Sequence, residues 1–210
     1  MSEVLDILKK TGAILIGDHF VLTHGKHCSV YINKDFLYTH TRETSRICEI
    51  MAERCKDFEM DMVIGPALGG IILSQWTAFH LTRLKGKEIL AAYTEKTADN
   101  GQMLTRGYDA LVKDKKVLVV EDLTSTGGSA QKVMDAVTLA GGNVVAVCVM
   151  VNRNPQQVTS ESLGVPFVPL DVFEVEMYEA DECPLCKSAV PINTKMGHGR
   201  KFLEQNGKSP

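Results

Sequence analysis

Two acidic residues and a run of hydroxyls and glycines lie together in the middle of the chain. Glu121 and Asp122 follow the apolar run 117–120, and Leu-Thr-Ser-Thr-Gly-Gly-Ser comes directly after them. Glycines let backbone N–H groups approach a phosphate, hydroxyls add donors, and the N-terminus of a following helix favours negative charge. Carboxylates accept hydrogen bonds from hydroxyl groups, so the stretch predicts a ligand such as a ribose 5-phosphate. The candidate contacts are Glu121, Asp122, Leu123, Thr124, Ser125, Thr126, Gly127, Gly128 and Ser129.

This loop is not one of the two common nucleotide-binding sequences. A P-loop carries a Lys before its terminal Ser or Thr, and a dinucleotide-binding turn reads Gly-x-Gly-x-x-Gly. Neither pattern occurs at 121–130. The alternative is an ordinary strand–turn–helix with a charged strand end. That alternative would not require acids, hydroxyls and glycines at the places where one ligand needs them.

The elements around the loop alternate between strands and helices. Buried strands are predicted at 60–64, 88–93, 117–120, 143–151 and 167–175. Helices are predicted at 3–11, 42–58, about 69–84 and 130–140. This alternation predicts an α/β fold, a parallel sheet flanked by helices, with ligand loops at the carboxyl edge of the sheet.

Two further strand ends carry candidate binding residues. The turn 65–70 reads Gly-Pro-Ala-Leu-Gly-Gly, and Gly69 and Gly70 open the next helix. A second anion loop predicts a ligand with two separated phosphate groups, although a tight turn alone is the alternative. Arg153 follows the strand 143–151, where its guanidinium could bind a carboxylate through two parallel hydrogen bonds. A surface arginine before the Pro155 turn is the alternative there.

Residues 121–129 resemble the signature with which type I phosphoribosyltransferases bind 5-phosphoribosyl 1-diphosphate (PRPP). Two short strands, 20–22 and 30–32, form either a surface hairpin or a hood over a site. The segment is similar to the N-terminal hood of orotate phosphoribosyltransferases. The matching residues are Phe20, Leu22, Gly25, Lys26 and Tyr31. The resemblance implies the type I phosphoribosyltransferase fold with a small hood.

The resemblance also assigns roles to individual residues. It implies that Lys26 lies near the pyrimidine, that the turn 65–70 holds pyrophosphate, and that Ser125 and Arg153 contact orotate. Glu121 and Asp122 would bind the ribose hydroxyls near the developing positive charge. The implied reaction converts orotate and PRPP to orotidine 5′-monophosphate and pyrophosphate with Mg²⁺, a step of pyrimidine biosynthesis.

A mobile lid is expected at about 94–108. Asp-Asn-Gly at 99–101 strongly favours a turn, and the apolar residues of the segment do not recur with the period of a helix or a strand. In the resembled family the lid reaches into the neighbouring subunit's site, which implies a homodimer. Many relatives carry an Arg-Lys pair, a further Lys and a His there. This chain has only Lys96 and Arg106 as cations. We take Lys96 as catalytic, with a solvated loop charge as the alternative for both residues.

The C-terminal segment contains Cys183-Pro-Leu-Cys186. One such pair supplies two thiolates, whereas a structural zinc site needs four ligands. His198 is in range, and two tails could meet in a dimer, but the pattern favours a reduced or occasionally oxidised thiol pair. We therefore expect no metal among the site residues and only substoichiometric zinc.

Length and composition suit one domain over 1–210, with a hood at about 12–40 and a tail at 181–210. A net charge of -3 argues against a nucleic-acid partner. No apolar run approaches a membrane span. Six cysteines and an acidic N-terminus favour a reducing cytoplasmic location. Two alternatives remain: a phosphoribosyltransferase for another base, such as a purine, and a non-catalytic PRPP-sensing regulator.

Overall fold

A computed structural model describes residues 2–207 of the chain. The strands are β1 (Ile14–Val21), β2 (His27–Ile32), β3 (Met62–Pro66), β4 (Leu90–Lys96), β5 (Gln102–Met103), β6 (Lys116–Thr124), β7 (Asn143–Asn152) and β8 (Phe167–Val172). The helices are α1 (Glu3–Lys10), α2 (Lys34–Tyr38), α3 (Thr41–Cys55), α4 (Gly69–Lys85), α5 (Tyr108–Val112), α6 (Gly128–Leu139), α7 (Ser160–Leu163), α8 (Pro184–Lys187) and α9 (Gly199–Gln205). Within residues 2–207, every helix is too short or too polar to cross a bilayer.

The chain divides into two compact units. The sheet unit comprises residues 2–7 and 38–174, and the hood–tail unit comprises residues 8–37 and 175–207. In the sequence, the hood and the C-terminal tail are separate features, about 140 residues apart. In the structure they pack together as one unit.

The sheet unit is built on one mainly parallel sheet in the order β5-β4-β3-β6-β7-β8. The pairs from β4 through β8 are all parallel, and β5 pairs antiparallel with β4 at the edge. All five predicted sheet strands are therefore confirmed, with ends that differ by a few residues. Parallel pairing aligns the carboxyl ends of β3, β4, β6 and β7 along one edge, where their loops can share a ligand.

The centre of this sheet is apolar on both faces, as its sequence requires. Val117 and Val119 of β6 belong to a cluster that packs against Val133 and Val137 of α6. Leu118 alternates with the two β6 valines and is also completely buried, so it lies on the opposite face. Helices α3 and α4 pack against each other and against the strands. A central strand buried on both sides holds the loop at its end in a fixed position.

The predicted lid contains more regular structure than its sequence suggested. β4 continues three residues beyond the predicted end at 93, and Glu95 and Lys96 pair with Met103 and Gln102 of β5. The Thr97 N–H donates to the Gly101 carbonyl across the turn, at 3.2 Å. The turn predicted at 99–101 is present. The residues on either side of it form a hairpin, because their backbone groups pair with one another.

The hood–tail unit contains the antiparallel hairpin β1–β2, with Ile14 opposite Ile32 and Val21 opposite His27. The predicted hairpin is confirmed, and β1 begins six residues earlier than predicted. Phe20 and Cys28 form the centre of a small core. Tyr31 stacks on Phe20 with ring centroids 5.4 Å apart. The core is small, so this unit has little apolar burial to stabilise it.

Candidate active site

The two acids of the central motif lie near the carboxyl end of β6. Glu121 is 7% exposed and Asp122 is 5% exposed, so both carboxylates are held away from bulk water. One Asp122 oxygen, Oδ1, accepts the Leu123 N–H at 2.7 Å. The other, Oδ2, accepts the Tyr38 hydroxyl at 3.2 Å. Buried carboxylates are costly unless they are hydrogen-bonded, and these bonds fix the orientation of Asp122.

Tyr38 is a further candidate site residue, and no sequence motif marked it. Burial, together with the neighbouring Asp122 carboxylate, raises the pKa of Tyr38 well above its usual range. The phenol therefore stays protonated and donates to Asp122. Position 38 precedes Asp122 by 84 residues, and no local pattern joins the two, so only the fold could reveal the contact.

The turn after β6 has the geometry of an anion cradle. Gly127 has a φ of 76° and begins α6 as its N-terminal cap, a backbone conformation that favours glycine. The Gly127 N–H donates to the Thr124 hydroxyl at 3.1 Å, and the Gly128 N–H donates to the Thr126 hydroxyl at 3.3 Å. The start of a twelve-residue helix, where backbone N–H groups lack intrahelical partners, suits a phosphate. The Ser125 hydroxyl is buried and has no hydrogen-bond partner within residues 2–207.

The second glycine turn lies directly against the acidic strand end. A Cβ atom added to Gly69 would come within 2.5 Å of Asp122 Oδ2 and within 2.8 Å of the Tyr38 hydroxyl. A Cβ on Gly65 would meet the Gly70 backbone at 2.7 Å. The peptide bond between Ala67 and Leu68 is cis. The turn 65–70 thus lies against Asp122, which directly precedes the other predicted anion loop. At Gly65 and Gly69 the backbone approaches other atoms so closely that a larger residue would clash.

Arg153 joins this group from the end of β7. Its backbone N–H donates to the Thr124 carbonyl at 2.8 Å, which fixes the end of β7 against the β6 turn. The Asn152 amide donates to the Val158 carbonyl at 3.0 Å and holds the loop that follows. The Arg153 side chain is partly exposed, so it is accessible at the strand edge.

The match to known proteins agrees with this arrangement. The family model for the phosphoribosyl transferase domain matches residues 34–178. An orotate phosphoribosyltransferase of Caldanaerobacter subterraneus subsp. tengcongensis is 37% identical over 191 residues, which are 91% of this chain and 94% of that relative. One from Desulforamulus reducens is 39% identical over 190 residues, covering 90% of this chain and 93% of the relative. The chain belongs to the orotate phosphoribosyltransferase family.

Solved structures of orotate phosphoribosyltransferases share the fold. The enzyme of Aeropyrum pernix superimposes with a TM-score of 0.64 at 23% identity, over 97% of this chain and 98% of that chain. The Mycobacterium tuberculosis H37Rv enzyme in complex with PRPP gives a TM-score of 0.61 at 23% identity, over 81% of this chain and 94% of that chain. The expected type I phosphoribosyltransferase fold is thus confirmed.

The two cations in the predicted lid, Lys96 and Arg106, have different surroundings. Arg106 pairs with Glu95 at 2.8 Å and is largely exposed. The Thr105 hydroxyl also donates to Glu95. Lys96 is exposed on β4, and among residues 2–207 it has no ion-pair partner. Of these two cations, Lys96 is therefore the one that could contact a ligand without first breaking a salt bridge.

Lys26 lies in the hood–tail unit, at the turn between β1 and β2. Its ammonium forms an ion pair with Glu179 at 3.2 Å, and both side chains are about half exposed. Such a pair contributes little to stability. The sheet unit brings together the remaining predicted binding residues on the loops after β3, β6 and β7, while Lys96 stands on β4.

Proposed function

We propose that this chain transfers the 5-phosphoribosyl group of PRPP to orotate, giving orotidine 5′-monophosphate and pyrophosphate. Family membership supports the reaction class. The single observation that carries the assignment of the site is the convergence of two anion loops and Arg153 on the Asp122 strand end. That arrangement matches a ligand with two phosphate groups and a ribose, next to a base that carries a carboxylate.

The β6 turn is suited to the 5′-phosphate of PRPP. The backbone N–H groups and hydroxyls of 124–129 would donate to it, and the α6 dipole favours its charge. This anchor is remote from the bond that breaks, so its role is to fix the geometry of the reacting carbon. The glycine turn 65–70, which lies against Asp122, would hold the pyrophosphate group.

Glu121 and Asp122 act on the ribose. Displacement at the anomeric carbon breaks the bond to pyrophosphate and forms a bond to the ring nitrogen of orotate, with positive charge developing on the ribose. The two buried carboxylates would accept hydrogen bonds from the 2′- and 3′-hydroxyls. Their fixed negative charge would stabilise the developing cation in a site from which water is largely excluded.

Mg²⁺ fits this donor set. Magnesium prefers oxygen ligands and usually binds through one or two carboxylates together with substrate phosphates. The carboxylates of Glu121 and Asp122 and the oxygens of PRPP supply such ligands. The ion would neutralise charge on the leaving pyrophosphate.

Orotate recognition is assigned to Arg153, Ser125 and Lys26. The Arg153 guanidinium can bind the orotate carboxylate through two parallel hydrogen bonds. The buried Ser125 hydroxyl, without a partner in the described chain, can bond to a polar atom of the ring. Lys26 is proposed to contact the pyrimidine, as the hood resemblance implies.

The lid and the assembly complete the proposal. Lys96 would neutralise pyrophosphate charge when the lid closes, and closure would exclude the water that hydrolyses PRPP. We assign the lid to the neighbouring subunit's site in a homodimer, and the enzyme to the cytoplasm.

A substrate panel tests the assignment. Purified protein with Mg²⁺ and PRPP should consume orotate, followed by its ultraviolet absorbance, and should leave uracil, adenine and hypoxanthine unchanged. Turnover of a purine in place of orotate would contradict the role of Arg153, because purines have no carboxylate. Binding of PRPP without turnover of any base would favour the regulator.

A further inference from the structure

Four side chains of the hood–tail unit converge on one point. His19 comes from β1, His27 from β2, and Cys183 and Cys186 flank the start of α8. One nitrogen or sulfur atom from each lies within 4.8 Å of all the others. Three of the four residues are buried and Cys186 is partly exposed, so the group is enclosed.

The separations suit a tetrahedral metal ion. Bonds of about 2.3 Å to sulfur and about 2.0–2.1 Å to nitrogen place the ligand atoms of a tetrahedron about 3.3–3.8 Å apart. Cys183 Sγ and Cys186 Sγ lie 3.7 and 3.8 Å from His19 Nε2. Cys186 Sγ lies 3.4 Å from His27 Nδ1. The two ring nitrogens are 2.8 Å apart, and a small outward movement of either ring would admit an ion.

The His19 ring is oriented as a ligand. His19 Nδ1 donates to the Val190 carbonyl at 2.8 Å, which leaves the lone pair of Nε2 directed at the His27 ring and the two thiols. A backbone carbonyl in this position is a common outer support for a metal-bound histidine. Phe202 packs edge-on against His27 at a centroid distance of 4.7 Å and shields it.

We propose that His19, His27, Cys183 and Cys186 bind one Zn²⁺ ion per chain as a closed structural site. Two sulfur and two nitrogen ligands with no fifth position are typical of structural zinc. The ion would tie both strands of the hood to the C-terminal segment. It would thereby stabilise a unit whose own apolar core is small.

This proposal replaces the sequence-based expectation of a thiol pair without metal. That expectation considered His198 as the nearest histidine, but His198 Nε2 contacts the Thr23 hydroxyl at 3.1 Å and is not in the group. The missing ligands are more than 150 residues upstream of the thiols. A search for metal ligands spaced a few residues apart in the sequence could not find them.

Elemental analysis of protein purified without chelator tests the site. The parent should contain about one zinc per chain. Zinc-free, reduced parent titrated with Co²⁺ should give the intense visible bands of a tetrahedral ion and a thiolate charge-transfer band, saturating at about one equivalent. Removal of the metal with a chelator should lower the Tm of the parent, because metal binding contributes to folding.

Variants locate the ion. Cys186→Ser should lose stoichiometric zinc and the charge-transfer band, whereas Cys186→His keeps a fourth ligand and should retain the metal with an altered spectrum. Cys28→Ala and His198→Ala are matched controls from the same unit, and both should keep about one zinc per chain. The Co²⁺ titration of the parent needs no variant, so poor folding of Cys186→Ser would not leave the site untested.

Two results would overturn the proposal. One is a parent that contains only traces of zinc and does not saturate with one equivalent of Co²⁺; the thiol pair would then stand as first expected. The other is full zinc occupancy that survives in Cys186→Ser, which would place the ion elsewhere.

Discussion

The two units of this protein encode their important side chains in opposite ways. In the sheet unit, most candidate residues lie within a few positions of a strand end, so a short motif is enough to predict where each residue lies in the fold. In the hood–tail unit, the four converging side chains come from β1, β2 and the start of α8. We propose that the sheet unit binds its ligand through loops that follow neighbouring strands, whereas contacts between distant segments stabilise the hood–tail unit.

Replacing Arg153 should produce the largest loss. Arg153→Ala should weaken orotate binding by about 2–5 kcal/mol, because the orotate carboxylate would lose its charged hydrogen-bonding partner. PRPP binding should change far less. Arg153→Lys is the matched control that keeps the charge and loses the paired hydrogen bonds. Steady-state kinetics with each substrate varied separately would measure both, and equal losses for the two substrates would remove Arg153 from the base site.

Asp122→Asn should follow in size. The amide keeps the shape and loses the charge near the developing cation, so kcat should fall about 10²-fold or more. Circular dichroism should show an intact fold. Asp135→Asn, an exposed change on α6, is the control and should stay within a few-fold of the parent. A fully active Asp122→Asn enzyme would make the acids a structural feature of the strand end.

Lys96→Ala should reduce kcat by about 10- to 100-fold, the range expected for a charged hydrogen bond made on closure. PRPP affinity should fall less than kcat. Arg106→Ala is the matched lid control, because Arg106 is already paired with Glu95, and its loss should be smaller. The opposite ranking would transfer the catalytic role to Arg106.

Mixing defective subunits would test whether the lid is shared. When Lys96→Ala and Asp122→Asn subunits exchange, one site of each heterodimer should collect both defects and the other neither. Activity should then rise towards about half that of a wild-type dimer per heterodimer. If exchange is demonstrated and activity does not rise, each lid serves its own chain.

Tyr38→Phe should give the smallest effect. The substitution removes one hydrogen bond to Asp122, which is worth about 0.5–1.5 kcal/mol, or about two- to tenfold in kcat. Tyr108→Phe is the control, since Tyr108 makes a ring contact with Tyr93 that phenylalanine can keep. Identical kinetics for the two variants would show that Tyr38 does not orient the acid.

The sheet unit was largely predictable because its signals are short. Apolar runs marked the five strands, and glycines and hydroxyls marked the two predicted anion loops that the structure brings against Asp122. The ends of elements were less accurate. β4 runs three residues into the predicted lid, where it pairs with β5. The sequence did not predict this extension, because β5 is a two-residue segment, Gln102–Met103, which is too short to have a recognisable pattern.

Contacts between distant segments could not be predicted. Tyr38 belongs to a five-residue helix with no sequence relation to Asp122. His19 and His27 lie at a spacing that resembles no metal motif, and only the packing of the C-terminal segment against the hairpin reveals them. A single sequence does not show which distant positions come together, because they become neighbours only in the completed fold.

The central claim, that PRPP binding belongs to the sheet unit and zinc binding to the hood–tail unit, can be tested by one calorimetric comparison. PRPP with Mg²⁺ is titrated into the parent, into Glu121→Gln with Asp122→Asn, and into Cys183→Ser with Cys186→Ser. The acid variant should bind PRPP at least about tenfold more weakly, because two charged hydrogen-bonding groups are lost. The thiol variant should lose its zinc and keep the PRPP Kd within about threefold of the parent. An unchanged Kd in the acid variant, or a larger loss in the thiol variant, would contradict this division.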